Sequence, residues 1–283
     1  MKICYWGTAA AEGIPAIFCN CDVCKEAREK KDRYIRTRSQ LLIDDTLMLD
    51  FNADTYAHLL KYGFNAAQLK DVIVTHIHGD HYYPEDISLR REGYCTGMKY
   101  PTLTFHGSED LLPQYEYSQR GDLRPVETGR IAFDVLQPYK WSEIAGFRVV
   151  PLPATHGTPH PMVYLLQKEG KTAFILNDSG ILKDEVFAWI KDSGIKFDLV
   201  SYDCTMGCLD TIKAWGDNAS HMGIPDILAV RERLKANGNY KNDTVSVITH
   251  FSHNGEGVGY GDMLKTAEKY GFVLAYDGMT VEI

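Results

Sequence analysis

Long apolar runs are missing from this chain. No stretch approaches the ~18 consecutive apolar residues that a membrane helix needs, so a membrane-spanning protein is not expected. The opening run Met1-Lys-Ile-Cys-Tyr-Trp-Gly7 soon meets Glu12 and a group of cysteines. It lacks the long apolar centre of a secretory signal, and a cytoplasmic location is expected. Positive charge is scarce as well: 30 Lys and Arg stand against 38 Asp and Glu, a formal net charge of -8. A long nucleic acid is therefore a disfavoured partner, because its binders need a basic stripe to displace condensed counterions. No repeat, low-complexity tract or Pro/Gly/Ser linker divides the sequence, and residues 1–283 read as one domain. No Gly-x-Ser-x-Gly elbow nominates a serine nucleophile. The glycine-rich stretch Gly255 to Gly261 lacks both the GxGxxG spacing and a GK[ST] ending, so it reads as a loop.

Cysteine is present in an odd number, seven. In a reducing compartment disulfides are rare, so close cysteine spacing is read as metal binding first. Cys19, Cys21 and Cys24 form the close group; Cys4, Cys95, Cys204 and Cys208 are scattered among apolar neighbours and read as small hydrophobes or surface thiols. Short apolar runs that end in polar residues recur along the chain and read as buried strands: Lys2 to Trp6, Thr46 to Asp50, Asp71 to Thr75, Phe147 to Pro151, Met162 to Leu166, Thr172 to Leu176, Phe197 to Tyr202 and Thr244 to Thr249. Helical spacing covers Asp54 to Tyr62, Leu182 to Asp192, Pro225 to Ala236 and Asp262 to Tyr270. The alternation predicts an α/β protein with helices covering sheets. Residues 82–146 are less periodic and rich in Tyr, Pro and charge, and they read as an insertion beside the site, with a lid as one use.

Three of the ten histidines fall in His76-Ile-His78-Gly-Asp80-His81, directly after the apolar run Asp71 to Thr75. A strand end followed by a tight turn can aim several such side chains at one point. Imidazole and carboxylate suit Zn, Mn, Fe, Co or Ni, and hydrolysis needs such a site with open positions. A lone histidine would ordinarily be a core or surface residue; four ligand-type residues in six are read as a metal site.

This HxHxDH run resembles the metallo-β-lactamase superfamily. The resemblance implies an α/β, four-layer αβ/βα sandwich of two packed mixed sheets flanked by helices. It also implies further ligands from later strand ends, and His156, Asp178 and His250 follow apolar strands in the required order. Matched position by position, one metal is implied on His76, His78 and His156 and a second on Asp80, His81 and His250, with Asp178 as the bridge. Cys19-Asn-Cys21-Asp-Val-Cys24 supplies three thiolates, one short of a tetrahedral structural zinc, and His253, three residues after His250, is the natural fourth ligand. Together with Gly7-Thr-Ala-Ala-Ala-Glu-Gly-Ile-Pro15 and Thr249-His-Phe-Ser-His253, this cluster resembles the PhnP-type (phosphoribosyl 1,2-cyclic phosphate) phosphodiesterases.

That group implies a general acid at His221. Since His221 lies just before a helix, the positive end of the helix dipole is expected to favour its neutral form. The expectation is a hydrolase with catalytic Asp80 and His221, two divalent transition metals (Zn, Mn, Fe or Ni) and one structural Zn. A hydroxide shared by the metals would attack a small cyclic or nucleotide-like phosphodiester in line. Lactone, thioester, β-lactam or RNA hydrolysis on the same fold, or metal binding without catalysis, stay as alternatives, and a homodimer stays open. The chain departs from its relatives at Tyr82-Tyr-Pro-Glu-Asp86, and the stretch from Cys204 to Ala219 is longer than theirs, so the substrate-contacting surface differs.

Overall fold

A computed structural model describes residues 1–216 and 219–283; Asp217 and Asn218, inside the long stretch from Cys204 to Ala219, lie outside the described residues. The first half of the chain builds one sheet from β1 (Lys2–Gly7), β2 (Gln40–Ile43), β3 (Leu47–Leu49), β4 (Asp71–Ile73), β5 (Leu103–Gly107) and β6 (Ile131–Val135). The second half builds another from β7 (Ser142–Ile144), β8 (Phe147–Pro153), β9 (Met162–Lys168), β10 (Lys171–Leu176), β11 (Phe197–Asp203), β12 (Tyr240–Thr249) and β13 (Val273–Leu274). The last strand, β14 (Met279–Glu282), returns to the first sheet beside β1. Each sheet has seven strands, ordered β14-β1-β2-β3-β4-β5-β6 and β13-β12-β11-β10-β9-β8-β7. Both are antiparallel on one side and parallel on the other, with β3 to β6 parallel in the first and β10 to β13 in the second.

The strands look continuously apolar in sequence because both faces are covered. Along β9 and β10, Tyr164, Leu166, Ala173 and Ile175 point between the sheets, where they meet Ile3, Leu41 and Leu49. Their neighbours Val163, Leu165, Phe174 and Leu176 point the other way, against the helices Asp184–Ser193 and Ile224–Ala236. On the outer face of the first sheet, Val72, Phe105 and Ile131 are packed with Leu111 and Tyr115 of the helix Leu111–Ser118. Two-residue alternation thus serves two cores at once, and the result is the expected αβ/βα sandwich. No helix among the described residues is long and apolar enough to cross a membrane.

Residues 82–146 carry β5, β6 and β7, the first two of which extend the parallel side of the first sheet. Their periodicity is obscured because polar side chains run across the strands. His106 on β5 holds Asp134 on β6 at 2.8 Å and Asp71 on β4 at 3.0 Å. Short helices between the strands, Pro84–Ile87 and Arg124–Glu127, each carry proline in the first turn.

Candidate metal centre

Every ligand-type residue of the candidate site leaves a strand end on one edge of the sandwich. Because β9 runs antiparallel to both β8 and β10, those two point the same way, and β11 and β12 are parallel to β10. Their carboxyl ends lead into His156, Asp178, Asp203 and His250, while β3 and β4 of the facing sheet lead into Asp50 and the run from Thr75 to His81. The carboxyl edge of parallel strands is where α/β sheets bind ligands. Asp50, Asp178 and His250 each adopt a left-handed backbone, with φ of 67°, 58° and 64°. For a residue with a Cβ this costs on the order of 1 kcal/mol or more, a strain that clusters at functional sites.

Three ring nitrogens converge on the first position. His78 Nδ1 lies 2.9 Å from His76 Nε2 and 3.0 Å from His156 Nε2. Around the second, His81 Nε2 lies 3.2 Å from Asp80 Oδ2 and 3.2 Å from His250 Nε2. Asp178 Oδ2 sits between the two groups, 3.2 Å from His76 Nε2 and 3.1 Å from His81 Nε2, and 3.8 Å from His250 Nε2. Ligand bonds of 2.0–2.1 Å in a tetrahedron put neighbouring donor atoms about 3.3 Å apart, and most of these contacts fall close to that spacing.

The rings are held in the tautomer that such a site requires. His76 Nδ1 has Thr75 Oγ1 at 3.0 Å, His81 Nδ1 has Asp50 Oδ2 at 2.7 Å, His250 Nδ1 has Thr205 Oγ1 at 2.8 Å, and His156 Nδ1 has the Ser220 carbonyl at 3.2 Å. With the Nδ1–H donated outward, each Nε2 turns a lone pair toward the centre. Lone pairs facing lone pairs at 3 Å repel unless a cation lies between them. Asp178 Oδ1 adds to this, being buried without a hydrogen-bond partner. The donor atoms therefore gather into overlapping groups that fit metal ions, among them His76, His78, His156 and Asp178, and Asp80, His81, Asp178 and His250.

Asp50 and Asp203 belong to the same site and were not singled out from the sequence. Each is fully buried and acts behind the ligands. Asp50 accepts from the Thr75 backbone N–H at 2.8 Å and braces His81; Asp203 accepts from Thr205 Oγ1 at 2.9 Å, which in turn braces His250. Their signal was an aspartate closing an apolar run, in Thr46 to Asp50 and in Tyr202-Asp203-Cys204.

His221 reaches the same place from the loop before the helix Ile224–Ala236. Gly180 allows it: a Cβ there would lie 1.8 Å from the Ala219 carbonyl oxygen, so only glycine lets the His221 loop close on the Asp178 loop. His221 Nδ1 lies 3.2 Å from Asp203 Oδ2 and 3.0 Å from Asp178 Oδ1, the latter off the hydrogen-bond line. Burial lowers the His221 pKa, but the two carboxylates outweigh it and raise it to about 10. The expected neutral ring is thus corrected. A helix end carries about half a charge, and two full carboxylates at hydrogen-bond distance overrule it. Asp203 is held down correspondingly, to about 2, with burial opposing and His221 and His250 prevailing.

The centre opens into a cavity of about 410 Å³ lined in part by Glu12, His78, Asp80, His156, His221 and His250. A larger one of about 620 Å³, lined by Thr155, Lys183 and Arg233 among others, holds none of the ligand residues. Neither His58 nor His106 lines the centre's cavity. His160, four residues after His156, does not line it either and pairs with Asp110 at 3.0 Å.

A second group lies beside this one. Cys19 and Cys21 occupy the turn before the helix Asp22–Lys30, and Cys24 faces inward from its first turn. His253 Nδ1 lies 3.4 Å from Cys19 Sγ and 3.6 Å from Cys21 Sγ, against about 3.6 Å expected between sulfur and nitrogen ligands of one tetrahedral zinc. Burial pushes the Cys24 thiol up to about 11, so a thiolate there needs a cation beside it. Cys4, Cys95, Cys204 and Cys208 join no candidate metal group among the described residues.

No curated protein matches the sequence. Among solved structures, a diphosphatase of the PhnP family aligns over 100% of this chain and 97% of its own at 18% identity, with a TM-score of 0.73. Zinc-bound PqqB from Methylobacterium extorquens aligns over 100% of both chains at 17% identity and a TM-score of 0.74. Human tRNase Z, short form, aligns over 100% of this chain and 99% of its own at 18% identity and a TM-score of 0.64. At these identities the likeness is one of fold. The family model of the beta-lactamase superfamily domain matches residues 52–251, and with the fold and ligand-type residues above it establishes that this chain belongs to the β-lactamase superfamily and has the metallo-β-lactamase fold.

Proposed function

We propose that this protein is a metal-dependent hydrolase of a small phosphodiester, with His221 as the acid that protonates the leaving oxygen. The observation that carries this reading is the position of His221, held protonated by Asp203 on the wall of the cavity that the ligand residues share. Divalent metals bound by the two groups would supply an activated water and offset charge on the phosphoryl oxygens. The chain's own residues supply the rest. With Nδ1–H donated to Asp203, His221 keeps Nε2–H for the cavity. The carboxylates of Asp203 and Asp178 raise its pKa and so favour the protonated ring, which is still a stronger acid than a departing alcohol, so the transfer runs downhill once the alkoxide forms. Asp203 then holds the ring in place for the next proton.

The cavity volume suits a small molecule, and its lining among the described residues includes no Lys or Arg. Beyond His221 and the metals, the flanking phosphates of a polyanionic RNA would find no Lys or Arg there, which favours a small substrate over the tRNA-processing role that the name of one structural neighbour carries. The name of one structural neighbour, a diphosphatase of the PhnP family, favours a phosphate-containing substrate. Metal-loaded protein should hydrolyse bis(p-nitrophenyl) phosphate and small cyclic phosphodiesters in preference to a panel of lactones, thioesters and β-lactams. Preferential cleavage of a carboxylic ester or lactam would replace this reading with the other chemistry of the fold.

A further inference from the structure

Behind Asp50 runs a buried chain of polar side chains that the proposed reaction does not use. Gln40, on β2, donates from Nε2 to the Asp50 carbonyl at 3.0 Å and to Thr55 Oγ1 at 2.8 Å. Its Oε1 lies 2.6 Å from His58 Nδ1. The other face of that ring, Nε2, lies 2.7 Å from Thr37 Oγ1, which is 2.5 Å from Asp277 Oδ2. Asp277 also accepts from Thr8 Oγ1 at 2.7 Å, and Thr8 accepts from Arg36, whose guanidinium stacks on Phe251 at 4.3 Å. Phe251 follows His250 directly. The chain therefore starts at the His81 side of the metal centre and comes back to the His250 side. Gln40 and Asp50 are fully buried and His58 is 1% exposed.

We propose that Gln40, His58 and Thr37 are positioning residues for the metal centre: they hold Asp50 in its left-handed conformation and so keep His81 Nε2 aimed at the metal. The inference rests on reading the His/Asp group as a metal centre. Direction matters in such a chain. Asp50 must have its carbonyl turned to Gln40 while its carboxylate accepts from Thr75 and His81, and a left-handed φ of 67° is what lets one residue do both. Gln40 can present Nε2 to Asp50 only while Oε1 has a donor, and His58 is that donor. His58 in turn is orientated by Thr37. A hydroxyl has one proton and Thr37 has two close neighbours, so the segment from Asp277 to His58 must carry an additional shared proton. Burial raises the Asp277 carboxyl and lowers the His58 ring to about 4, and both shifts favour a neutral His58 that donates from Nδ1 to Gln40.

The test is a zinc titration with a competing chromophoric chelator on metal-free parent, Thr37→Val and Thr37→Ser. The cysteine group serves as an internal control, because the chain ends on ligands of the other group. Thr37→Val should weaken the His/Asp sites by about tenfold, the lower end for loss of an outer hydrogen-bond partner, with binding at the cysteine group unchanged. Thr37→Ser, which keeps the hydroxyl, should restore parent affinity within about twofold. Parent-like affinity in a folded Thr37→Val overturns the inference. Zinc bound by the parent at the cysteine group alone overturns the metal-centre reading and this inference with it. Should Thr37→Val fail to fold, side-chain nitrogen NMR of the parent decides: the His58 ring signals should shift when the His/Asp group is loaded, and unmoved signals overturn the proposal.

Discussion

The two ligand groups of this protein are neighbours, yet they are built in opposite ways. The His/Asp group draws on strand ends from both sheets, between residues 76 and 250, and its contacts exist only once the sandwich has closed. The cysteine group takes three of its four members from six consecutive residues at one helix start and needs a single distant partner, His253. The first is braced by buried carboxylates, Asp50 and Asp203, and by left-handed residues; the cysteines have backbone contacts such as Ala16 N–H on Cys24 Sγ at 3.3 Å. On the proposed reading the contrast suits them to different work. A site whose donors are orientated by a costly outer layer is suited to chemistry, whereas a compact thiolate group closes a loop. The two meet on the short segment from His250 to His253, so damage to one should reach the other only weakly.

The largest expected effect is at the residue the two halves of the His/Asp group share. Asp178→Asn keeps the shape but removes the charge that faces His76 and His81 together. Turnover of a phosphodiester should fall by more than ~10³-fold, on the order of 4 kcal/mol of barrier, and metal analysis should show loss from the His/Asp group while the cysteine zinc stays. Parent turnover in this variant would remove the shared-ligand scheme. The reciprocal change is Cys24→Ser, which should release the cysteine zinc and cost on the order of 3 kcal/mol of stability. The thermal midpoint would drop by roughly 5–10 °C, with turnover of the folded protein kept within about tenfold. If instead the His/Asp metals left together with the cysteine zinc, the two groups would be one cooperative unit and the contrast would fail.

His221 sharpens the comparison from within the chemical site. His221→Gln should retain both sets of metals and slow hydrolysis of an alkyl phosphodiester by ~100-fold, the usual range for loss of a general acid. Bis(p-nitrophenyl) phosphate should be much less affected, because its leaving phenolate needs little protonation. Equal losses on both substrates would assign His221 a positioning role.

How much of this was legible in the sequence follows the same division. The run from His76 to His81 and the cluster from Cys19 to Cys24 are local, so spacing alone exposed them, and the alternation of strands and helices was readable because continuous apolar runs mark strands covered on both faces. Asp50 and Asp203 were not legible. An aspartate closing a strand is common, and what distinguishes these two is a partner 31 residues away in one case and 18 in the other. The charge state of His221 was misjudged for a related reason: the local helix could be seen in sequence, but the carboxylates of Asp178 and Asp203 reach it only through the fold. Residues 82–146 hid their strands because His106, Asp134 and Asp71 form a polar ladder whose members look like loop residues one strand at a time.

The smallest expected effect separates the two groups by their response to acid. His58, behind the His/Asp group, has its pKa lowered from 6.5 to about 4, chiefly by burial, with Asp54 opposing and Lys61 assisting. As pH falls below about 6.5 the unfolded chain takes up a proton that the folded ring refuses, so this residue's contribution is intact above that pH and is lost progressively toward pH 4. At pH 5 the loss should be about 2 kcal/mol. Denaturant unfolding of metal-free protein at pH 7.5 and pH 5 measures it against His58→Gln, in which other titrating groups are common to both and cancel. A smaller pH-dependent loss in the variant, by about that amount, places the acid sensitivity in the layer behind the chemical site. An identical loss in both proteins would show that the buried ring already carries its proton, and the hydrogen-bond directions from Thr37 to Asp50 would have to be reassigned.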